Sequence, residues 1–268
     1  MENYCDMLIT ERKFGIFKIV NIYFVEEPVK ENIPDSDVII YHTYKNWGTI
    51  PGFERRRLFT LTIDLSQSKD SIWKDIHRVR KRQILRAEKR GINVIMSNKY
   101  EEYNQLYKEF LKRKNYADPS KFDILSSKFM RKYGVLFISE NQGEMLGGYL
   151  YVHDQDTTVP IVVSYQDFDN SDERKRLISD ANSYIQWEAM QYFKNRGLVT
   201  YDFGGMTGDG TNINQKTHGG NFYKRSFGGK LCSQYQYRKF NSNFYKILFN
   251  SWNFLQNRND YSNIEEKD

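Results

Sequence analysis

The sequence predicts an α+β fold in which helices flank a mixed central sheet, with a short β-rich lead-in before it. The first observation is the order of the periodic segments from residue 58 onward, which is β-α-β-α-β-β-β-α-β. The second is a run of three strand-like segments at 135–139, 147–153 and 158–166, which predicts consecutive antiparallel strands. The third is composition, because 268 residues with 39% hydrophobic and 16% aromatic content can bury a large core.

The chain is interpreted as one main domain with a flanking piece on each side. Residues 1–57 contain strand-like segments at 14–28 and 37–44, and we expect them to pack on the main domain as a β-rich lead-in. The main domain is predicted to cover residues 58–258. Residues 259–268 are polar and charged, and they are predicted to be a disordered tail.

The main domain is predicted to open with a strand at 58–65 and a long helix. Ser66 or Ser68 can cap this helix, which runs to about Arg90 and is stopped by Gly91. Its apolar positions predict a buried stripe formed by Ile72, Trp73, Ile76, Val79, Ile84 and Ala87.

The same helix concentrates positive charge. Between residues 74 and 90 there are eight Lys or Arg and two acidic residues, an excess equal to the +6 net charge of the whole chain. One interpretation is an ordinary solvated face. The other is a surface that faces phosphate or tRNA, with Arg78, Lys81 and Arg82 as its contacts.

The remaining elements follow from periodicity and from glycine stop signals. The predicted elements are a strand at 93–97, helices at 99–113, 122–131 and 177–196, and a strand at 198–204. Residues 167–176 are predicted to be a charged loop. The aromatic, amphipathic segment 244–255 is predicted to be a docking helix, with a membrane-surface helix as the alternative.

Composition excludes several classes of protein. Two cysteines cannot form a disulfide framework, no run of eighteen apolar residues is present, and the N-terminus does not read as a secretory signal. We therefore expect a soluble, cytoplasmic protein with no transmembrane segment. The net charge of +6 favours an anionic partner.

Common cofactor motifs are absent from the sequence. Gly229-Lys230 is followed by leucine, so there is no Walker A motif, and Asp167-Phe168-Asp169 lacks the later ligands of a calcium loop. The four histidines and two cysteines show no metal-ligand spacing, and there is no nucleophile elbow. We therefore expect neither a bound cofactor nor a metal.

The most distinctive segment is 201–229, YDFGGMTGDGTNINQKTHGGNFYKRSFGG. It holds eight of the seventeen glycines, which allow backbone to approach a ligand closely. A strand, a polar glycine-rich loop and a lysine flanked by aromatic residues predict a site on a loop held by a sheet. The alternative is a long hairpin loop with ordinary turn glycines.

Two parts of the chain resemble a known family. YDFGG at 201–205, followed by FYKRSFGG at 222–229, is similar to the C-terminal signature of the FemA/FemB/FemX aminoacyltransferases. The strand ending at residues 62–66 and the helix ending RAEKRG at 86–91 match in the same order. The resemblance implies a GNAT-like fold and, because the family usually has two such halves, a single-half member.

Attack of an amine on an ester or thioester needs aligned reactants and a donor for the developing oxyanion. Lys224, between Tyr223 and Arg225, fits this need, and the resemblance implies oxyanion stabilisation or leaving-group assistance by it. Asp202 can orient the amine or hold the loop, and we favour the second role. The further expected substrate-binding residues are Tyr165, Gly204, Gly205, His218, Tyr223, Arg225 and Phe227.

The resemblance implies aminoacyl-tRNA as the donor and an anionic or lipid-linked cell-envelope precursor as the acceptor. Residues 172–181 lack the glycines of an acetyl-CoA pyrophosphate loop, which disfavours CoA in its standard mode. Two alternatives stay open: a CoA-dependent acyltransferase acting on an amino sugar of a surface polysaccharide, and a non-catalytic RNA-binding module.

Overall fold

The computed structural model describes residues 8–14, 16–29, 33–114, 128–167, 171–208 and 219–256. By its internal contacts the chain divides into two compact units. The terminal unit comprises Met1–Thr60, Gly205–Phe222 and Leu231–Asp268, and the central unit comprises Leu61–Gly204 and Tyr223–Lys230.

The terminal unit is built on a small sheet. Its elements are β1 (Leu8–Phe14), β2 (Phe17–Tyr23), β3 (Val38–Thr43), most of β10 (Lys230–Phe240) and α7 (Asn243–Gln256). The strands lie in the order β1-β2-β3-β10, with β1 and β2 forming an antiparallel hairpin and β2 parallel to β3. The sequence predicted one strand-like segment from residue 14, so the first strand of the hairpin was missed.

β4 (Glu54–Asp64) begins four residues earlier than predicted and contributes residues to both units. The central unit otherwise contains α1 (Lys69–Asp75), α2 (Arg78–Lys89), β5 (Asn93–Met96), α3 (Tyr100–Arg113), α4 (Lys128–Tyr133), β6 (Val135–Asn141), β7 (Glu144–His153), β8 (Thr157–Tyr165), α5 (Asp172–Asn195) and β9 (Thr200–Gly205, of which Gly205 belongs to the terminal unit).

The central sheet has the strand order β9-β8-β7-β6-β5. Neighbouring strands are antiparallel except β8 and β9, which are parallel, so the predicted mixed sheet is confirmed. The two-residue turn between β6 and β7 has positive φ at Gln142 (51°) and Gly143 (82°), of which glycine alone favours that conformation. Tyr103 of α3 packs on this sheet and donates its hydroxyl to the carbonyls of Gly148 and Val162.

The single long helix predicted up to Arg90 is wrong, because the chain breaks between α1 and α2. Ser68 caps α1 as predicted, but Ile76 is extended (ψ 130°) and His77 becomes a second cap, its ring Nδ1 accepting from the amide of Val79. The break alters the predicted stripe. Ile72, Ile76, Ile84 and Ala87 are buried, whereas Val79 is exposed.

Two segments predicted to be loops are helical. α5 begins at Asp172 within the predicted charged loop, because Ser171 caps it and Asp172 and Glu173 lie favourably in its first turn. The segment that begins with the glycine pair at 219–220 forms a short helix, α6 (Gly219–Arg225). Lys224 therefore lies on the last turn of a helix and not on a loop.

Some predicted features lie outside the described residues. They are His218, the tail at 259–268 and most of the helix at 122–131. In the part of the chain that is described, every helix is too short or too polar to cross a bilayer.

Candidate functional site

The site begins where β8 and β9 stop pairing. Their parallel register joins Thr157 to Thr200 and Thr158 to Tyr201. Pro160 lies two residues beyond Thr158 and has no N–H to continue a ladder, and the register against β7 shifts at the same place, which makes a bulge. The parallel pairing of β8 and β9 therefore ends before either strand does.

Lys224 lies at the released end of β9. Its ammonium Nζ donates a hydrogen bond of 3.0 Å to the carbonyl oxygen of Gly204. Burial lowers the pKa of Lys224 from 10.5 to about 8, and the charge of Asp202 opposes this shift. Lys224 thus carries a positive charge in a poorly solvated position, and it releases its proton more readily than a solvated lysine does.

Asp202 is completely buried on β9. Its Oδ1 accepts a 2.6 Å hydrogen bond from the amide of Gly204, whose φ is +74°. A carboxylate that bonds the amide two residues on is the turn geometry expected from an Asp before two glycines. Asp202 therefore holds the strand end on which the Lys224 contact depends.

Four tyrosines of the central unit interact with one another; Tyr149, Tyr151 and Tyr201 are buried and Tyr223 is partly buried. The hydroxyls of Tyr151 and Tyr201 are 2.7 Å apart and both bond Gln186, while Tyr223 donates to the carbonyl of Asn182 at 3.0 Å. Burial raises the pKa of Tyr151, Tyr201 and Tyr223, as it does that of Tyr149. The phenols therefore stay protonated and act as hydrogen-bond donors.

Arg80 of α2 is also buried, with 8% of its surface exposed. Its Nε donates to Ser226 Oγ at 2.6 Å, its Nη1 bonds Gln83, and its guanidinium carbon lies 4.5 Å from the ring centroid of Tyr223. Sequence reasoning missed Arg80 among its basic neighbours. The available signal was its spacing, because it lies four residues from both Ile76 and Ile84, which are buried.

The other predicted site residues are distributed as follows. Phe227 is buried against Phe203 and Tyr223, with ring centroids 5.2 and 5.3 Å away, so it packs in the core. Tyr165 ends β8, where its ring packs on Phe110 at 4.8 Å. Arg225 is partly buried at the end of α6.

The three predicted tRNA contacts share one helix and lie at its accessible surface. Arg78 and Arg82 of α2 are exposed, and Lys81 is partly exposed with its Nζ 2.9 Å from the carbonyl of Lys74. Arg86 and Arg90, by contrast, both face the buried carboxylate of Asp180. Arg86 and the C-cap residue Arg90 are thus exposed residues that also form ion pairs.

A cleft of about 360 Å³ lies elsewhere in the central unit. Its lining includes the side chains of Asp64, Asp75 and Lys230. Hydrogen bonds from Ser66 lower the pKa of Asp64. Phe227 also lines the cleft, which opens near the start of β9 and therefore at the other end of the strand from Gly204.

No three His, Cys, Asp or Glu side chains come close enough together to hold a metal ion within the described ranges.

Comparison with known proteins identifies the fold. FemX matches with a TM-score of 0.60 at 14% identity, covering 90% of this chain and 86% of that one. The C-terminal domain of a protein described as a lysylphosphatidylglycerol synthetase from Agrobacterium fabrum matches with a TM-score of 0.52 at 9% identity, covering 91% and 84%. L-PGS from Bacillus licheniformis matches with a TM-score of 0.52 at 11% identity, with the same coverage.

These likenesses define the fold, and the FemX-type fold expected from the sequence, with helices flanking a mixed sheet, is confirmed. No protein-family model matches the sequence, and no curated protein matches it either.

Proposed function

We propose that the protein is an N-acyltransferase of cell-envelope biosynthesis. It transfers an aminoacyl or acyl group to an amine of a nucleotide- or lipid-linked peptidoglycan or polysaccharide precursor. The observation that carries the proposal is the ammonium of Lys224 on the carbonyl of Gly204, where two parallel strands separate. The FemX-type fold supports it.

The chemistry needs no protein nucleophile. The neutral acceptor amine attacks the ester or thioester carbonyl carbon, the C–N bond forms, and the carbonyl oxygen becomes an oxyanion. When the tetrahedral intermediate collapses, the C–O or C–S bond breaks and the attacking nitrogen loses a proton. The leaving oxygen or sulfur gains one. A fixed positive charge beside the oxyanion and a proton donor for the leaving group are the two contributions that a protein can make.

Lys224 can make either contribution. Its pKa of about 8 keeps it mostly protonated at neutral pH and makes its proton easier to transfer than that of a solvated lysine. Desolvation also strengthens its attraction for a developing negative charge. Asp202 acts indirectly, since it fixes the Gly204 turn and offsets part of the cost of burying the lysine charge.

The accessible basic residues of α2 support aminoacyl-tRNA as the donor. Arg78, Lys81 and Arg82 lie within two turns of one helix and belong to the same unit as Lys224. Such a row can neutralise several phosphates of a polyanion.

The start of α5 argues against CoA in its standard mode. A helix N-terminus binds pyrophosphate through free backbone amides and its positive dipole end. Here Ser171 Oγ already accepts from the amide of Arg174 at 3.1 Å, and Asp172 and Glu173 place two carboxylates in the first turn. The cap thus occupies one of the amides that a pyrophosphate would need.

One face of α7 supports contact with a membrane that carries a lipid-linked acceptor. Phe244, Ile247 and Leu248 share a helical stripe and are 61%, 63% and 44% exposed. This apolar face belongs to the terminal unit, and peripheral contact of a cytoplasmic protein with the bilayer is part of the proposal.

Donor binding tests the proposal. Purified protein is incubated with total bacterial aminoacyl-tRNA in filter-retention assays over a salt series, and with acetyl-CoA in a calorimeter. Salt-sensitive tRNA binding without heat from CoA, followed by transfer of label to a UDP-linked precursor, is the expected result. CoA binding alone would move the protein to the amino-sugar acyltransferases. tRNA binding without transfer to any amine would indicate an RNA-binding module.

A further inference from the structure

The segment that carries Lys224 is held from one side by α2. The amide of His77, which caps α2, donates to the carbonyl of Ser226 at 2.9 Å, and Nε of Arg80 donates to the hydroxyl of the same serine at 2.6 Å. The Ser226 hydroxyl in turn donates to the carbonyl of Tyr223 at 2.6 Å, and the Arg80 guanidinium lies over the Tyr223 ring. These contacts hold Tyr223 and Ser226, which lie on either side of Lys224 in the chain.

The described partners of Arg80 are all neutral. They are a hydroxyl, a side-chain amide and an aromatic ring. Burying a guanidinium without a carboxylate is unfavourable, and burial accordingly lowers the pKa of Arg80. An apolar side chain would fill the same volume without that cost, so the value of arginine here lies in the geometry of its planar fork.

We propose that Arg80 is a positioning residue for Lys224, holding the segment Tyr223–Ser226 so that Nζ stays on the Gly204 carbonyl. The stacked ring fixes the residue before Lys224, and the bonded hydroxyl fixes the turn after it. Without the contacts of Arg80 with Tyr223 and Ser226, the end of α6 can move and water can reach the Lys224 ammonium. The inference rests on the proposed role of Lys224.

The pKa of Lys224 reports whether these contacts hold the segment in place. Lys224 has a low pKa because it is desolvated, and the charge of Asp202 acts in the opposite direction. The titratable groups on the elements that hold it include Asp202 and Tyr201 on β9, Tyr223 beside it on α6, and Arg80 of α2, which lies over the Tyr223 ring. A variant that removed the positive charge of Arg80 would mix a change of charge with a change of packing, so the informative variant must keep that charge.

Arg80→Lys meets this condition, because it retains the charge but loses the fork and the stacked plane. Ser226→Ala is the second variant, which removes the hydroxyl and leaves Arg80 intact. The control is Lys89→Met, an exposed basic residue at the end of the same helix. The Lys224 resonance is identified in ¹⁵N-lysine-labelled protein by its loss in Lys224→Arg and is titrated from pH 6 to 11.

We expect the pKa of Lys224 to rise from about 8 toward 10.5 in both Arg80→Lys and Ser226→Ala, and to stay in place in Lys89→Met. An unchanged titration in a folded Arg80→Lys or Ser226→Ala protein overturns the inference. The test does not depend on transfer activity. A shifted titration in a protein with no transferase activity would refute the proposed function alone, whereas Lys224-dependent transfer with an unshifted titration would refute the positioning role alone.

Discussion

The ammonium of Lys224 donates to the carbonyl oxygen of Gly204 across 3.0 Å. This bond joins the last turn of α6 to the end of β9, at the place where β9 is no longer paired with β8. It therefore puts a partly desolvated positive charge at the end of β9, where such a charge can stabilise a developing oxyanion. The proposed catalytic role of Lys224 depends on this hydrogen bond.

The first prediction concerns the pH dependence of transfer. Burial disfavours the charged form of Lys224 and lowers its pKa to about 8, so the proton needed for catalysis is lost as pH rises through that value. The rate of the chemical step should fall above about pH 8. In Lys224→Arg the residual activity should lack this falling limb, because a guanidinium stays protonated. An identical limb in the variant would assign the titration to another group.

Asp202→Asn should move the falling limb of the pH–rate profile to lower pH. The carboxylate of Asp202 raises the pKa of Lys224, so its neutral isostere should lower that pKa further. Asparagine keeps an oxygen that can accept from the Gly204 amide, so the turn should persist. The limb should shift to lower pH, as measured by single-turnover rates. Asp75→Asn, at an exposed carboxylate, serves as the control, and an upward shift in Asp202→Asn would contradict the account.

The basic face of α2 should carry the salt dependence of RNA binding. Replacing Arg78, Lys81 and Arg82 together by Gln should weaken tRNA binding and reduce the slope of log K against log salt by up to about two to three. The matched control replaces three other exposed cations, Lys112, Lys175 and Arg176, by Gln. Equal losses in the two triple variants would mean that net charge, and not this face, binds tRNA.

Gly229→Ala should destabilise the central unit. Gly229 has a φ of +88°, and a Cβ there would lie 2.4 Å from the carbonyl oxygen of Thr62. Gly143 has a similar φ of +82° but has open space around it, so Gly143→Ala isolates the cost of the backbone conformation. We expect about 1 kcal/mol for Gly143→Ala and roughly 1–3 kcal/mol more for Gly229→Ala, measured by urea unfolding. Equal losses of unfolding free energy in the two variants would show that the backbone near Thr62 moves to accommodate the added Cβ.

Much of the fold could be predicted from the sequence because its signals are local. The glycine stop after α2, the Asn-Gln-Gly turn between β6 and β7, and the Asp202 turn each follow from side-chain chemistry within a few residues.

The parts that were wrong depend on distant partners. The break before α2 is stabilised by a bond from the His77 amide to Ser226, which lies 149 residues away in the chain. α6 begins with two glycines, which are poor helix formers, and its Asn221 exchanges two 2.9 Å hydrogen bonds with the backbone of Thr207. Neither contact can be read from local pattern.

The same reason explains the incomplete prediction of the site. The resemblance pointed to Lys224, and charge pointed to Arg78, Lys81 and Arg82. Arg80 stands between these accessible residues in the sequence, and a charge count cannot separate a buried arginine from exposed ones. Its spacing from Ile76 and Ile84 indicates burial, but its partner Ser226 lies 146 residues away in the chain.

The transfer rate of the Lys224→Met variant tests directly whether Lys224 acts in catalysis. Methionine replaces the ammonium with an apolar side chain of similar length. Because it also removes the positive charge that acts on the buried carboxylate of Asp202, the variant is first shown to be folded by circular dichroism and thermal unfolding. With labelled aminoacyl-tRNA and a UDP-linked precursor under single-turnover conditions, the account predicts that the rate falls by about 10²–10³-fold while tRNA binding is retained. A folded variant that transfers at the wild-type rate would contradict it.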